Sequence, residues 1–307
     1  VVLRSRRSIR AKMSDVEGRI AALPIWTGPV ALAPLAGGIS NQSFTATDST
    51  GRYVVRITRD YPFHHVFRDR EVMAARAAHA AGFAPEVVHA EPGLMVSRFI
   101  EGEVLTADRV RAAIPRIAAF LRRFHHDMPP GLSGPGFIFW VFHVNRDYLR
   151  QLRETGHADA PLAAWQAINA ELEAAQTDLP IVVGHHDLLP ANLIDDGRRL
   201  WLIDYEYAGF GTAMFDLANL SSNNHFSAAE SETLLASYFG APPSAAVRRS
   251  HAAMEAASLL REALWSLVSV DHLDRPGVDY AAYADENFAR LDIALGAYRR
   301  RFGGPPA

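Results

Sequence analysis

The chain has 307 residues, 49% hydrophobic and 21% charged, enough to bury a sizeable core in two modest domains or one two-lobed one. A formal net charge of −3 supplies no basic field for nucleic acid, and no apolar run approaches the ~20 residues of a membrane span. Cysteine is absent, which excludes a disulfide scaffold and thiolate metal sites and fits a reducing cytoplasm.

In chain order, the opening VVLRSRRSIRAKMSD has arginines but no apolar core before a small-residue cleavage site. It reads as a lead-in with Met13 as an alternative start, not as a secretory signal. Residues 29–58 read as strands: Gly37 and Gly38 interrupt ALAPLAGGISNQSFTAT, DSTG (48–51) is a turn, and RYVVRIT (52–58) alternates. FRDREVMAARAAHAA (67–81) predicts a helix with Gly82 at its C-terminal cap. Two short strands follow around Glu91-Pro92-Gly93. From Leu105 onward the apolar spacing is helical over 106–126, 161–176, 227–240, 245–270 and 280–302, with a loop at 129–137. The pattern predicts an α+β chain: a β-rich lobe over 1–97, a connection at 98–103 and a helical lobe over 104–307.

The stretch VVGHHDLLPANLIDDGRRLWLIDYEYAGFG (182–211) concentrates the chemistry. NLI and LWLID flank Asp196-Gly197, a turn dipeptide, so folding back brings Asn192 beside Asp204. An amide oxygen next to a carboxylate is a hard-oxygen site suited to Mg²⁺. Asp187, five residues before Asn192 with Pro190 between, can face the same cavity as a base. That division of labour is what phosphoryl transfer needs, because its chemistry is mostly positioning and charge neutralisation. Other readings stand beside it. A histidine pair alone assigns nothing, since HH also occurs at 64–65 and 125–126. A metallohydrolase using His185, His186 and Asp187 lacks an H-x-x-x-H pair.

HHDLLPAN follows the pattern H-x-D-x-x-x-x-N, and IDYEYAG with FDLAN takes the place of the metal-binding aspartate segment of kinase-like phosphotransferases. From about Leu35 to Trp265 the sequence resembles the choline/ethanolamine kinase and aminoglycoside phosphotransferase superfamily, nearest its choline/ethanolamine kinase branch. The resemblance implies a protein-kinase-like bilobal fold and an ATP- and Mg²⁺-dependent cytoplasmic kinase. It would act on a small-molecule alcohol, with choline or ethanolamine foremost. Other acceptors (an aminoglycoside, thiamine) or a nucleotide-binding pseudokinase are the alternatives.

By that resemblance Asp187 is the base, His185 supports its loop, Asn192 and Asp204 hold Mg²⁺, and Asp216 anchors the loop from below. Gly38, Ser40 and Asn41 would cover the nucleotide phosphates, although LAGGISNQSF by itself equally describes a plain hairpin. Backbone groups near Ser97–Gly102 would bind adenine. Arg56 stands where protein kinases carry a lysine, with Glu71 as its expected partner. Tyr207 and Trp265 match an aromatic cage for a quaternary ammonium; Trp265 equally suits a helix core. Asn223 or Asn224 stands where the family has an acid.

Overall fold

The computed structural model describes residues 15–35, 42–134, 136–157, 160–273 and 277–303. Two compact units result, one from Val1–Asp60 with Pro85–Glu101, the other from Tyr61–Ala84 with Gly102–Ala307. The Gly38, Ser40 and Asn41 turn lies outside the described residues, as does the lead-in before residue 15.

The first unit is an antiparallel sheet of β1 (Ala31–Leu35), β2 (Gln42–Asp48), β3 (Gly51–Ile57), β4 (Val87–Glu91) and β5 (Leu94–Arg98), ordered β1-β2-β3-β5-β4. Alternation sends Phe44, Ala46, Tyr53, Val55, Leu94 and Val96 to one face. Ile20 and Leu23, on and just after a helix over 15–21 (α1), complete that core. The β2–β3 turn is the expected DSTG, because Asp48 accepts from Thr27 N and from Thr50 N, both at 2.8 Å. These bonds, that to the Thr27 N–H foremost, hold its carboxyl down at about 2.

The second unit begins with α2 (Arg68–Ala80), which sequence order had placed in the first lobe. Gly82, at φ +85°, ends α2 as expected: Phe83 N donates to Ala78 O and Gly82 N to His79 O, a Schellman closure. Phe83 then meets Phe120 and Phe124 edge-on at 5.3 and 5.4 Å, which ties the end of α2 to the helical unit.

The expected helix over 106–126 is two, α3 (Ala107–Ala112) and α4 (Ile114–Asp127). Pro115 in the first turn of α4 cannot donate a helical hydrogen bond, so the chain restarts at Ala113. The remaining helices are α5 (Val141–Glu154), α6 (Leu162–Glu173), α7 (Ala213–Asn223), α8 (Ala228–Phe239), α9 (Ala245–His272) and α10 (Tyr280–Phe302). Sequence periodicity did not single out α5 or α7. Almost every side chain of α7 is buried, so it shows no polar face to mark a period. α9 is central, packed by α5, α6, α7 and α10. β6 (Glu103–Val104), β8 (Leu193–Asp195) and β9 (Leu200–Leu202) form a small sheet. β7 (Ile181–Gly184) pairs with β10 (Gly209–Thr212). Among the described residues no helix is long and apolar enough to cross a membrane.

Candidate active site

The segment between β7 and β10 is clamped by one buried acid. Asp216, in the first turn of α7, accepts from His186 N at 2.7 Å and from His185 N at 2.8 Å. His125 Nε2–H donates to the same carboxylate at 2.8 Å, and its Nδ1 meets Tyr238 OH at 2.7 Å. Burial alone would raise the Asp216 pKa. The His125 hydrogen bond, the neighbouring imidazoles and the backbone donors more than reverse that, and the carboxyl is held well below the usual range. Three residues further along α7, Asn219 Oδ1 accepts from Leu188 N at 2.6 Å while its Nδ2 donates to Ser258 Oγ at 3.0 Å. Two side chains of one helix face therefore hold three consecutive-loop amides on either side of Asp187.

The histidines are structural wedges. His186, at φ +65°, stacks on Phe139 at 4.3 Å and donates from Nδ1 to Tyr207 O at 3.0 Å. Burial lowers its pKa to about 4, so the ring is neutral at physiological pH. The ring passes so close to Gly184 that a Cβ there would sit 2.3 Å from Nε2. His185 is likewise lowered by burial, and its Nε2–H donates to Ile203 O at 2.9 Å, next to Asp204. No group of three His, Asp or Glu side chains able to hold a metal gathers among the described residues, so the metallohydrolase arrangement is not formed.

The hairpin forms around Asp196-Gly197 as expected, with Leu193 opposite Leu202 and Asp195 opposite Leu200, so Asn192 falls opposite Ile203, the residue before Asp204. Ile203 N donates to Asn192 O at 3.0 Å, extending the ladder and leaving Asn192 and Asp204 at its open end. Asn192 Nδ2 donates to Asp187 O at 2.9 Å and reaches Asp187 Oδ2 at 3.3 Å. That commitment leaves the amide oxygen Oδ1 to offer a cation. Asp204 stands at φ +69°, a left-handed conformation that Asp tolerates better than most residues but that still costs about 1–3 kcal/mol. Burial pushes the Asp187 pKa well above the ordinary carboxylate range. Arg261 opposes this, and the charges of Glu262, Asp204 and Glu206 add to it. A carboxylate raised in this way is a better proton acceptor near neutrality.

Arg68, on α2, joins Glu71 at 2.6 Å to Glu206 at 2.8 Å, with all three side chains nearly buried. Arg68 is thus one ion-pair partner of Glu71, a residue that sequence reading passed over as one of the charges in FRDRE. Arg56 sits on β3 opposite Ser43 and Met95.

Tyr207 and Trp265 do come together: Trp265 Nε1 donates to Tyr207 OH at 3.0 Å. One face of each ring is occupied, however. The Arg261 guanidinium lies 4.3 Å over the Tyr207 ring, and His64 stacks on Trp265 at 4.9 Å. Asn224 is committed to the carbonyls of Leu188 and Leu220, whereas Asn223 Nδ2 is buried without a hydrogen-bond partner among the described residues.

With this geometry in place, comparison with known proteins is decisive. A model of a phosphotransferase enzyme family (APH) matches residues 31–254. The chain belongs to that family. Among solved structures this phosphotransferase is similar to a choline/ethanolamine kinase family protein from Mesorhizobium loti, 31% identical, with a TM-score of 0.75 over 92% of this chain and 94% of that one. It shares its fold with the choline kinase LicA from Streptococcus pneumoniae, 23% identical, with a TM-score of 0.77 over 94% and 100% of the two chains. The protein LicA of Haemophilus influenzae is 25% identical over 210 residues, 66% of this chain; the match spans 61% of that relative's length. The fold is therefore the protein-kinase-like one of these phosphotransferases, as the motifs implied.

Proposed function

We propose that the protein is an ATP- and Mg²⁺-dependent kinase of a small-molecule alcohol, with choline or ethanolamine as acceptor and Asp187 as the base. The observation that carries this reading is Asn192, bonded through Nδ2 to Asp187 and set by the hairpin ladder next to the residue preceding Asp204. Asp187 orients the acceptor hydroxyl and takes its proton as the oxygen attacks the γ-phosphorus in line and the bond to ADP breaks. The donors suit magnesium: one amide oxygen and one carboxylate, too few for a self-sufficient site but right for a cation completed by phosphate oxygens and water. Asn192 and Asp204 would hold it, and when bound it neutralises charge on the transferring phosphates. His185 fixes the loop through Ile203 O. Gly38, Ser40, Asn41 and Arg56 are assigned to the nucleotide phosphates, with Glu71 as the acid that orients Arg56, and backbone groups near Ser97–Gly102 to the adenine. Tyr207, Trp265 and Asn223 are assigned to the acceptor.

Support for the acceptor class comes from the relatives named above and from a probable ethanolamine kinase of Arabidopsis thaliana, 27% identical over 206 residues. The test is ADP formation with choline, ethanolamine, thiamine and kanamycin in turn, in wild type, Asp187→Asn and Asp204→Ala. Asp187→Asn is expected to lower kcat by at least about 10²-fold with little change in ATP affinity. Asp204→Ala is expected to abolish turnover and weaken Mg·ATP binding while the circular dichroism spectrum stays intact. Full activity of Asp204→Ala would reject the assignment of the hairpin.

A further inference from the structure

The acceptor wall carries a charge that no motif announces. Arg261 is 2% exposed and covers a face of Tyr207, which is itself 5% exposed. The guanidinium is held there by Glu262, its neighbour on α9, whose other oxygen accepts from Tyr283 OH at 3.2 Å. Trp265 is turned the same way by its bond to Tyr207 OH and its stack on His64.

A quaternary ammonium has no hydrogen to donate, so beyond the field of nearby carboxylates it depends on contact with aromatic faces. Here one face of Tyr207 already holds a cation, and a second placed against that face meets like-charge repulsion that little water is present to screen. A primary ammonium needs acceptors instead, up to three. Glu262 can serve as one: among the described residues its Oε1 accepts from Arg261 and its Oε2 from Tyr283 OH, one bond at each oxygen.

We infer that Arg261 is a specificity-determining residue, which closes that face of Tyr207 to quaternary ammonium groups and directs the enzyme to alcohols whose nitrogen donates hydrogen bonds. The inference rests on the assignment of Tyr207 and Trp265 to the acceptor wall. It is tested by measuring kcat/KM for ethanolamine, its N-methyl and N,N-dimethyl derivatives, and choline. The wild type is expected to fall along the series, with choline poorer than ethanolamine by about 10-fold, the order of one lost cation–π contact. Arg261→Met keeps length without charge and should restore choline relative to ethanolamine by a similar factor, whereas Arg261→Lys should keep the discrimination. If Arg261→Met fails to fold because Glu262 is left unpaired, Arg261→Met with Glu262→Gln removes both buried charges and should shift the ratio likewise. Equal use of choline and ethanolamine by the wild type, or a ratio unmoved in the charge-free variants, overturns the role of Arg261 alone. Turnover of none of the four alcohols overturns the acceptor assignment and this inference with it.

Discussion

The two units of this phosphotransferase bury opposite kinds of side chain. In the first unit Thr58 is the sole polar residue buried among those described, beside an apolar core of Phe44, Ala46, Tyr53, Val55, Leu94 and Val96. The second unit buries Arg68, Glu71, His125, His185, His186, Asp216, Asn219, Arg261 and Glu262 among others. The difference teaches where the chemistry can reside. An apolar core tolerates no unpaired polar atom and is specified by pattern and volume. A buried polar network is costly unless each member finds a partner, and in return it holds a loop in a single geometry.

The sharpest way to break the comparison is Asp216→Ala. Removing that carboxylate strands His125 and two loop amides, so urea unfolding should show a loss of about 3–5 kcal/mol, the range for opening a buried charged pair. Activity should vanish with it, because the loop carrying Asp187 loses its clamp. A loss below about 1 kcal/mol would mean that the network is ornamental.

A smaller effect should appear on acidification. His186 is near 4 when folded and near 6.5 when unfolded, burial being the cause. Between those values the unfolded chain binds the extra proton, so stability rises with pH and is lost as pH falls from about 6.5 to 4. The contribution approaches roughly 1.4 kcal/mol per pH unit within that window and about 3 kcal/mol across it. Unfolding free energies measured at pH 4 to 7 should therefore slope more steeply in wild type than in His186→Phe. Parallel lines would remove the histidine from the account.

The smallest effect concerns the first unit. Val55→Thr is nearly isosteric but places a hydroxyl in a core whose described side chains, Tyr53 apart, are apolar, at an expected cost of about 1–3 kcal/mol in chemical denaturation. A neutral outcome would show that this core accommodates polarity after all, and the contrast between the units would weaken.

Much of the first unit was legible because its determinants are local. Alternation over 52–58 and the Asp48 turn each act within a few residues, as does the glycine that ends α2 in the second unit. The helices α6, α8, α9 and α10 were legible from period, and the β8–β9 hairpin from its Asp-Gly turn, which was enough to set Asn192 toward Asp204. α7 was not, since a helix buried on all sides has no period to display, and with it went Asn219, whose one trace was its place three residues after Asp216 in FDLAN.

The three HH pairs show the limit most plainly. Alone they assign nothing, yet His125 proved to be the partner of Asp216, 91 residues away, and His64 the stacking partner of Trp265. Sequence by itself determined the α+β plan, the loop and the hairpin that carry Asp187, Asn192 and Asp204. Tertiary structure alone decided that Glu71 meets Arg68 and that Arg261 covers Tyr207. The physical reason is range. Turns, caps and periodicity are written in neighbouring residues, whereas the partner of a buried charge is chosen by whichever distant side chain the packing brings within reach.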